Sequence, residues 1–251
     1  NIGIAGLGQI GGRLYKEILS KKNDIAVKTG KIVNIVGVSA KNVNKKRNFK
    51  INKKKFYKNP LDISNNPNID IVFELIGFSG GISKKIVETA LKNKKHVITA
   101  NKALIAKNGD YLSYLAEKNR VNLEFEASVG GGIPVLRTIK DGLATNKINK
   151  VVGILNGTCN YILSKMETSK ESFSNVLKKA QKLGYAELRN PKFDLDGTDT
   201  LSKVRILSAL AFNNKISKNN CLMNGIENIE LEDIQIADKL NFKIKLLGIT
   251  E

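Results

Sequence analysis

Apolar runs of strand length alternate with amphipathic helical stretches from Asn1 to about Ser128. "NIGIAGLG" reads as a strand entering a glycine turn, "GRLYKEILSKK" is helical by the spacing of its apolar positions, and "KIVNIVGVSA" reads as a second strand. "DIVFELIG", "HVITA" and "VNLEFEAS" supply further strands, separated by the helical stretches "SKKIVETALKN" and "GDYLSYLAEKN". Such alternation predicts a parallel sheet wound with helices, so the class is α/β. Between Asn42 and Asn68 the chain is rich in Lys and Asn, holds Pro60 and Pro67, and has weak periodicity, so a loop-rich crossover is expected.

The pattern changes after the cluster Gly130 to Gly132. A helix from about Pro134, a strand "KVVGILNG", and helices near 158–167, 171–183 and 198–213 predict a second domain of α+β type. The expected division is 1–132 and 133–251. Neither an internal repeat nor a long low-complexity linker is visible. The first residues already lie inside an apolar strand and the last follow a strand-like "KIKLLGI", so a piece of a longer protein is expected.

Gly6-Leu7-Gly8-Gln9-Ile10-Gly11 fits G-x-G-x-x-G at the first strand-to-helix junction. In that motif the first glycine permits the tight turn, the second lets a pyrophosphate approach the backbone, and the third lets helix pack on strand. The helix N-terminus then faces the phosphates. Residues 1–132 are therefore expected to form a Rossmann-type dinucleotide-binding domain. The second strand ends in Val38-Ser39-Ala40-Lys41, without the acid that would bond a ribose 2′-hydroxyl. Ser39 is a candidate donor, and Lys41, Lys45, Lys46 and Arg47 follow, so NADP(H) is preferred and NAD(H) is the alternative. The other reading of these cations is that they belong to a general lysine excess.

That excess is large, with 42 Lys and Arg against 23 Asp and Glu and a formal net charge of +19. It invites a nucleic-acid partner. However, the charge is spread along the chain, with no arginine-rich arm and no aromatic interleaving to stack bases. A solvated basic surface is the reading adopted, with no nucleic-acid partner and no membrane. No apolar run approaches the roughly 20 residues of a membrane span. Only Cys159 and Cys221 are present, unpaired in spacing, and His96 is the only histidine, so no zinc site is expected and a reducing cytoplasm is.

A nicotinamide dinucleotide implies hydride exchange, which at an alcohol carbon needs a group to give and take a proton at oxygen. His96 starts an apolar strand after two lysines, and a strand-start role suits it better than catalysis. Lysines near carboxylates remain. Lys102 follows Thr99-Ala100-Asn101 at a strand end, where an open parallel sheet places its ligands. Lys203 lies four residues after Asp199, so a helix puts both on one face; by spacing alone that pair could equally be a surface ion pair. Glu187, Asp194, Asp196 and Asp199 form a dense acidic cluster that could bind a substrate ammonium. Cys159 in "NGTCNY" raises the rival of a cysteine-dependent semialdehyde dehydrogenase, which would need a base near the thiol.

"GLGQIGG", "TANKALIA", "FEASVGGGIP", "GILNGTCNYIL", "GYAE" and "DLDGTDTLSKVRIL" stand in the same order and at similar spacing as in homoserine dehydrogenases, and the chain resembles that family over essentially its whole length. The resemblance implies interconversion of L-homoserine and L-aspartate 4-semialdehyde, a step in threonine, methionine and isoleucine biosynthesis. It implies Lys203 as proton donor to the carbonyl oxygen, Asp199 holding substrate beside it, and Lys102 between nicotinamide and substrate. Glu187 matches the carboxylate that receives the homoserine ammonium. Asp194, Tyr185 and the loop Asn156-Gly157-Thr158 join it in the substrate pocket. Gly6, Gly8, Gln9, Ile10, Gly11, Ser39, Lys41, Gly77, Ser79 and Lys102 are implied at the cofactor. A sodium ion is implied on main-chain oxygens of Glu126, Val129, Gly131 and Ile133, although glycines needed only for a tight turn would give the same segment. A homodimer built through residues 133–251 is also implied, as is a continuation of the chain beyond this sequence. Two departures stand out: Phe78 replaces the second glycine common after "ELIG", and Glu187-Leu188-Arg189-Asn190-Pro191 has Asn for Asp and one extra residue.

Overall fold

The first strand, β1 (Ile2–Ala5), is buried at all four positions, as expected for a strand covered by helices on both faces. It leads through the glycine turn into α1 (Gln9–Ser20), then α2 (Lys22–Thr29), β2 (Ile35–Ser39), β3 (Phe56–Tyr57), α3 (Leu61–Asn65), β4 (Ile71–Glu74), α4 (Gly81–Lys92), β5 (His96–Thr99), α5 (Lys102–Asn119) and β6 (Leu123–Glu124). The structure is a computed structural model that describes residues 1–186, 191–215 and 221–251. The chain divides into two units, Asn1–Val135 and Leu136–Glu251.

In the first unit the six strands are parallel in the order β3-β2-β1-β4-β5-β6. The order reverses direction beside β1, and such a switch point opens a crevice at the carboxyl ends of the strands. The register aligns Ala5 with both Ser39 and Glu74, and Glu74 with Thr99, so the residues that follow these four share one edge. Helix periodicity supplies the cover. α4 buries Ile86, Val87, Ala90 and Leu91, and α5 buries Leu104, Ile105, Leu112, Leu115 and Ala116. The segment expected to be loop-rich also contributes an edge strand, with Val38 opposite Phe56 and Ser39 opposite Tyr57. Two residues are too few for a periodicity to show.

In the second unit, α6 (Val135–Arg137) runs into a π-helical turn at Thr138–Gly142. There follow β7 (Val151–Gly153), α7 (Gly157–Ser169), α8 (Phe173–Leu183), α9 (Lys192–Leu195), α10 (Thr198–Ala211), α11 (Leu231–Lys239) and β8 (Gly248–Thr250). β7 and β8 pair antiparallel, Val152 opposite Ile249. Both strands are shorter than the apolar runs that suggested them. The core forms where Cys159, Ile162, Leu163 and Met166 of α7 meet Val176 and Ala180 of α8, with Leu195, Ile226 and Ile234 closing it.

Candidate functional site

At the end of β1 each glycine of the motif has a separate task. Gly6 has φ +105°, and a Cβ there would stand 2.6 Å from the Leu75 carbonyl oxygen, so only glycine serves. A Cβ at Gly11 would stand 1.8 Å from the Gly6 carbonyl oxygen, so this glycine lets α1 sit on β1. Gly8, the N-cap of α1, has nothing within 4 Å of its Cβ position. No internal contact requires glycine there, and the open space is what a pyrophosphate would occupy against the helix N-terminus. Gln9 and Ile10 follow, both exposed.

A cleft of about 1250 Å³ opens over this turn, lined by Gly6, Leu7, Gly8, Ser39, Lys41, Lys45, Leu75, Ile76 and Phe78 among others. Ser39 is buried and its carbonyl accepts from the Gly6 N–H at 3.0 Å. Arg47 has a different occupation from the one its charge suggested. Its guanidinium donates to the carbonyls of Asn42 (2.9 Å), Lys45 (2.9 Å), Val43 (3.2 Å) and Leu7 (3.5 Å), shaping the loop that presents Lys41 and Lys45. Phe78, the departure noted in the sequence, is 63% exposed on the cleft wall.

The ends of β4 and β5 are joined by a network that sequence reasoning missed. Glu74 is fully buried and accepts from Ile76 N–H, Gly77 N–H, the Thr99 hydroxyl and the Asn101 amide. Asn101 caps α5 by accepting from Leu104 N–H, and Lys102 is the first residue of that helix. The Ser79 carbonyl accepts from Asn108 of α5. A charged residue in an otherwise apolar strand was the available signal.

In the second unit Lys203 and Asp199 lie on one face of α10 with Nζ 2.8 Å from Oδ2, and the side chains are 15% and 4% exposed. That burial excludes the surface ion pair. Lys203 also donates to the Leu155 carbonyl at 2.6 Å. Asn156, the N-cap of α7, donates to Asp199 at 3.0 Å and to Asp194 at 2.9 Å. The Thr158 hydroxyl donates to the Tyr185 carbonyl at 2.6 Å. Tyr185 stacks on Tyr161 with ring centroids 4.5 Å apart, and Gly157 is exposed at the start of α7. Sequence-distant groups thus converge on one lysine with two carboxylates nearby. Glu187 lies outside the described residues.

Cys159 is buried beside this cluster, and burial followed by the carboxylates of Asp194, Asp199 and Asp196 pushes its thiol up to about 12. A thiolate nucleophile is therefore disfavoured at neutral pH. In the segment of the expected sodium, the Glu126 carbonyl accepts from both Val129 and Gly130 N–H, whereas the Ile133 carbonyl accepts from Val135 N–H and keeps a second lone pair. Val129 is buried and Ile133 exposed, with Gly131 open around its Cβ position. No group of His, Cys, Asp and Glu among the described residues could hold a metal ion, and no described helix is long and apolar enough to cross a membrane.

Two family models match the chain, one described as homoserine dehydrogenase, NAD binding domain, over residues 6–126, the other as homoserine dehydrogenase over residues 134–250. A homoserine dehydrogenase of Neisseria gonorrhoeae is 40% identical over 250 residues, covering 100% of this chain and 57% of the relative. The crystal structure of a homoserine dehydrogenase from Thiobacillus denitrificans superposes with a TM-score of 0.90 at 38% identity, over 99% of this chain and 57% of the other. That of a putative homoserine dehydrogenase from Archaeoglobus fulgidus gives 0.87 at 29% identity, over 100% of this chain and 80% of the other. The chain spans a little over half the length of the curated relatives it matches.

Proposed function

The chain belongs to the homoserine dehydrogenase family, and on that premise we propose that it interconverts L-homoserine and L-aspartate 4-semialdehyde with NADP(H). The observation that carries this reading is the buried Lys203–Asp199 pair tied through Asn156 to Asp194. A bound nicotinamide supplies the hydride. Lys203 gives a proton to the carbonyl oxygen in one direction and takes it back in the other; two of its three N–H groups are held by Asp199 and Leu155, which aims the third. Asp199 orients that ammonium and neutralises it in the resting site. Asp194, Thr158 and Glu187 are assigned to the substrate's ammonium end, Glu187 on the family resemblance. Lys102 is assigned to proton transfer or cofactor positioning. The test is NADPH formation from NADP and homoserine; no turnover, together with salt-sensitive retention of DNA, would favour a basic binding module instead.

The preference for NADP(H) rests on Ser39, Lys41 and Lys45 lining the cleft with no acid at the end of β2. Ser39→Asp is expected to shift the ratio of kcat/KM for NADP over NAD toward NAD by roughly tenfold or more, because a carboxylate bonds a 2′-hydroxyl and repels a 2′-phosphate. A wild type that uses NAD equally well would sink the assignment. A sodium on the main-chain oxygens of Glu126, Val129, Gly131 and Ile133 remains part of the proposal on the family resemblance, with the spare lone pair of the Ile133 carbonyl as its structural support. So does a cytoplasmic location, supported by Cys159 and Cys221, neither of which is in a disulfide. A homodimer through the second unit is supported by Val152 and Ile249, cross-strand neighbours that are 51% and 50% exposed. Sedimentation should give twice the chain mass, and replacing both residues by lysine should halve it; a monomeric wild type contradicts the dimer.

A further inference from the structure

Glu74 is the one fully buried carboxylate among the described residues, and the proposed chemistry leaves it without a task. Burying such a group is unfavourable unless hydrogen bonds replace its water, and here both oxygens are used. Oε1 accepts from Ile76 N–H at 3.0 Å and Gly77 N–H at 3.4 Å, shaping the turn where Gly77 takes φ +100°. Oε2 accepts from the Thr99 hydroxyl at 2.8 Å and the Asn101 amide at 3.2 Å. Asn101 spends its second amide hydrogen on the Phe78 carbonyl at 2.8 Å and its oxygen on Leu104 N–H at 3.0 Å. Its own N–H reaches the Thr99 hydroxyl at 3.0 Å. Two turns from neighbouring strands are thereby fixed to one group. One carries Ile76 and Phe78 on the cleft wall; the other starts the helix with Lys102.

We infer that Glu74 is a positioning residue that holds the cleft turn Leu75–Phe78 and the helix start at Lys102 in one frame, setting where the cofactor meets Lys102. The inference rests on the functional reading above. It requires an acceptor on both sides. Glutamine keeps the size but offers one oxygen and one amide, and on either side that amide confronts an N–H that can only donate, from Ile76 and Gly77 or from Asn101. One turn must then move, and displacement of reacting groups by about 1 Å can cost on the order of a hundredfold in rate.

The experiment compares wild type, Glu74→Gln and Thr99→Val by thermal melt, NADPH fluorescence titration and steady-state kinetics well below the melt. For Glu74→Gln we expect kcat lowered roughly 10- to 100-fold and the NADPH Kd raised several-fold, with homoserine KM within about twofold since its assigned residues lie in the other unit. Thr99→Val, which removes one donor, should move the same quantities in the same direction by less, and it decides the matter if Glu74→Gln does not fold. Variants that melt earlier yet match wild type in Kd and kcat would reduce Glu74 to a structural brace and overturn the inference, as would a rise in homoserine KM alone. A wild type that binds no nicotinamide nucleotide would instead refute the functional reading, a result distinct from either.

Discussion

Lys203→Ala is expected to lose at least 10²- to 10⁴-fold in kcat in both directions, the usual cost of deleting a general acid, and more if the ammonium also neutralises a developing alkoxide. Its side chain is 15% exposed, held by Asp199 and by the Leu155 carbonyl, so it occupies one place. That burial also changes what the variant should do to stability. An exposed pair would cost under about 1 kcal/mol, whereas alanine here leaves Asp199, 4% exposed, without its cation. Removing one partner of a buried pair costs roughly 3–5 kcal/mol; because Asn156 still donates to Asp199, we expect on the order of 1–3 kcal/mol. The rates must therefore be taken below the lowered melt, beside an NADPH titration that should match wild type. Near-native turnover would return proton transfer to Lys102 or to another group.

The second large effect separates two glycines three residues apart: Gly8→Val should fold and fail to bind, while Gly11→Ala should fail to fold well. Valine at Gly8 meets nothing within 4 Å of its Cβ and fits the backbone there, φ −75° and ψ −152°. It fills the space assigned to the pyrophosphate, and losing one or two charge-assisted hydrogen bonds should weaken NADPH by about 10- to 100-fold at an unchanged melt. Alanine at Gly11 meets the Gly6 carbonyl oxygen at 1.8 Å and the Gly6 carbonyl carbon at 3.0 Å, both backbone atoms that cannot rotate away. Overpacking of this kind costs about 1–3 kcal/mol or more, a melt lower by roughly 5 °C or more. Wild-type affinity in Gly8→Val would remove the pyrophosphate from this turn.

The alternation of apolar runs and amphipathic stretches determined the parallel sheet and its helices, because strand and helix periods are local properties of the chain. Glycines at Gly6, Gly8 and Gly11 marked the candidate phosphate turn for the same reason, since the motif lies within a few residues. Spacing put Asp199 and Lys203 on one helical face but was silent on whether that face was wet. Burial decided it, through packing of α10 against β7, α9 and β8 and through Asn156, 43 residues from Asp199. Glu74 was legible only as a strand end, because its partners Thr99 and Asn101 reach it through the pairing of β4 with β5. Arg47 read as a cation for phosphate until the fold turned its donors onto four carbonyls. β3, of two residues, exists only as a partner of β2. What one element does alone is written in its own residues; register and burial arise between elements, and these selected which of many lysines and acids form the candidate site.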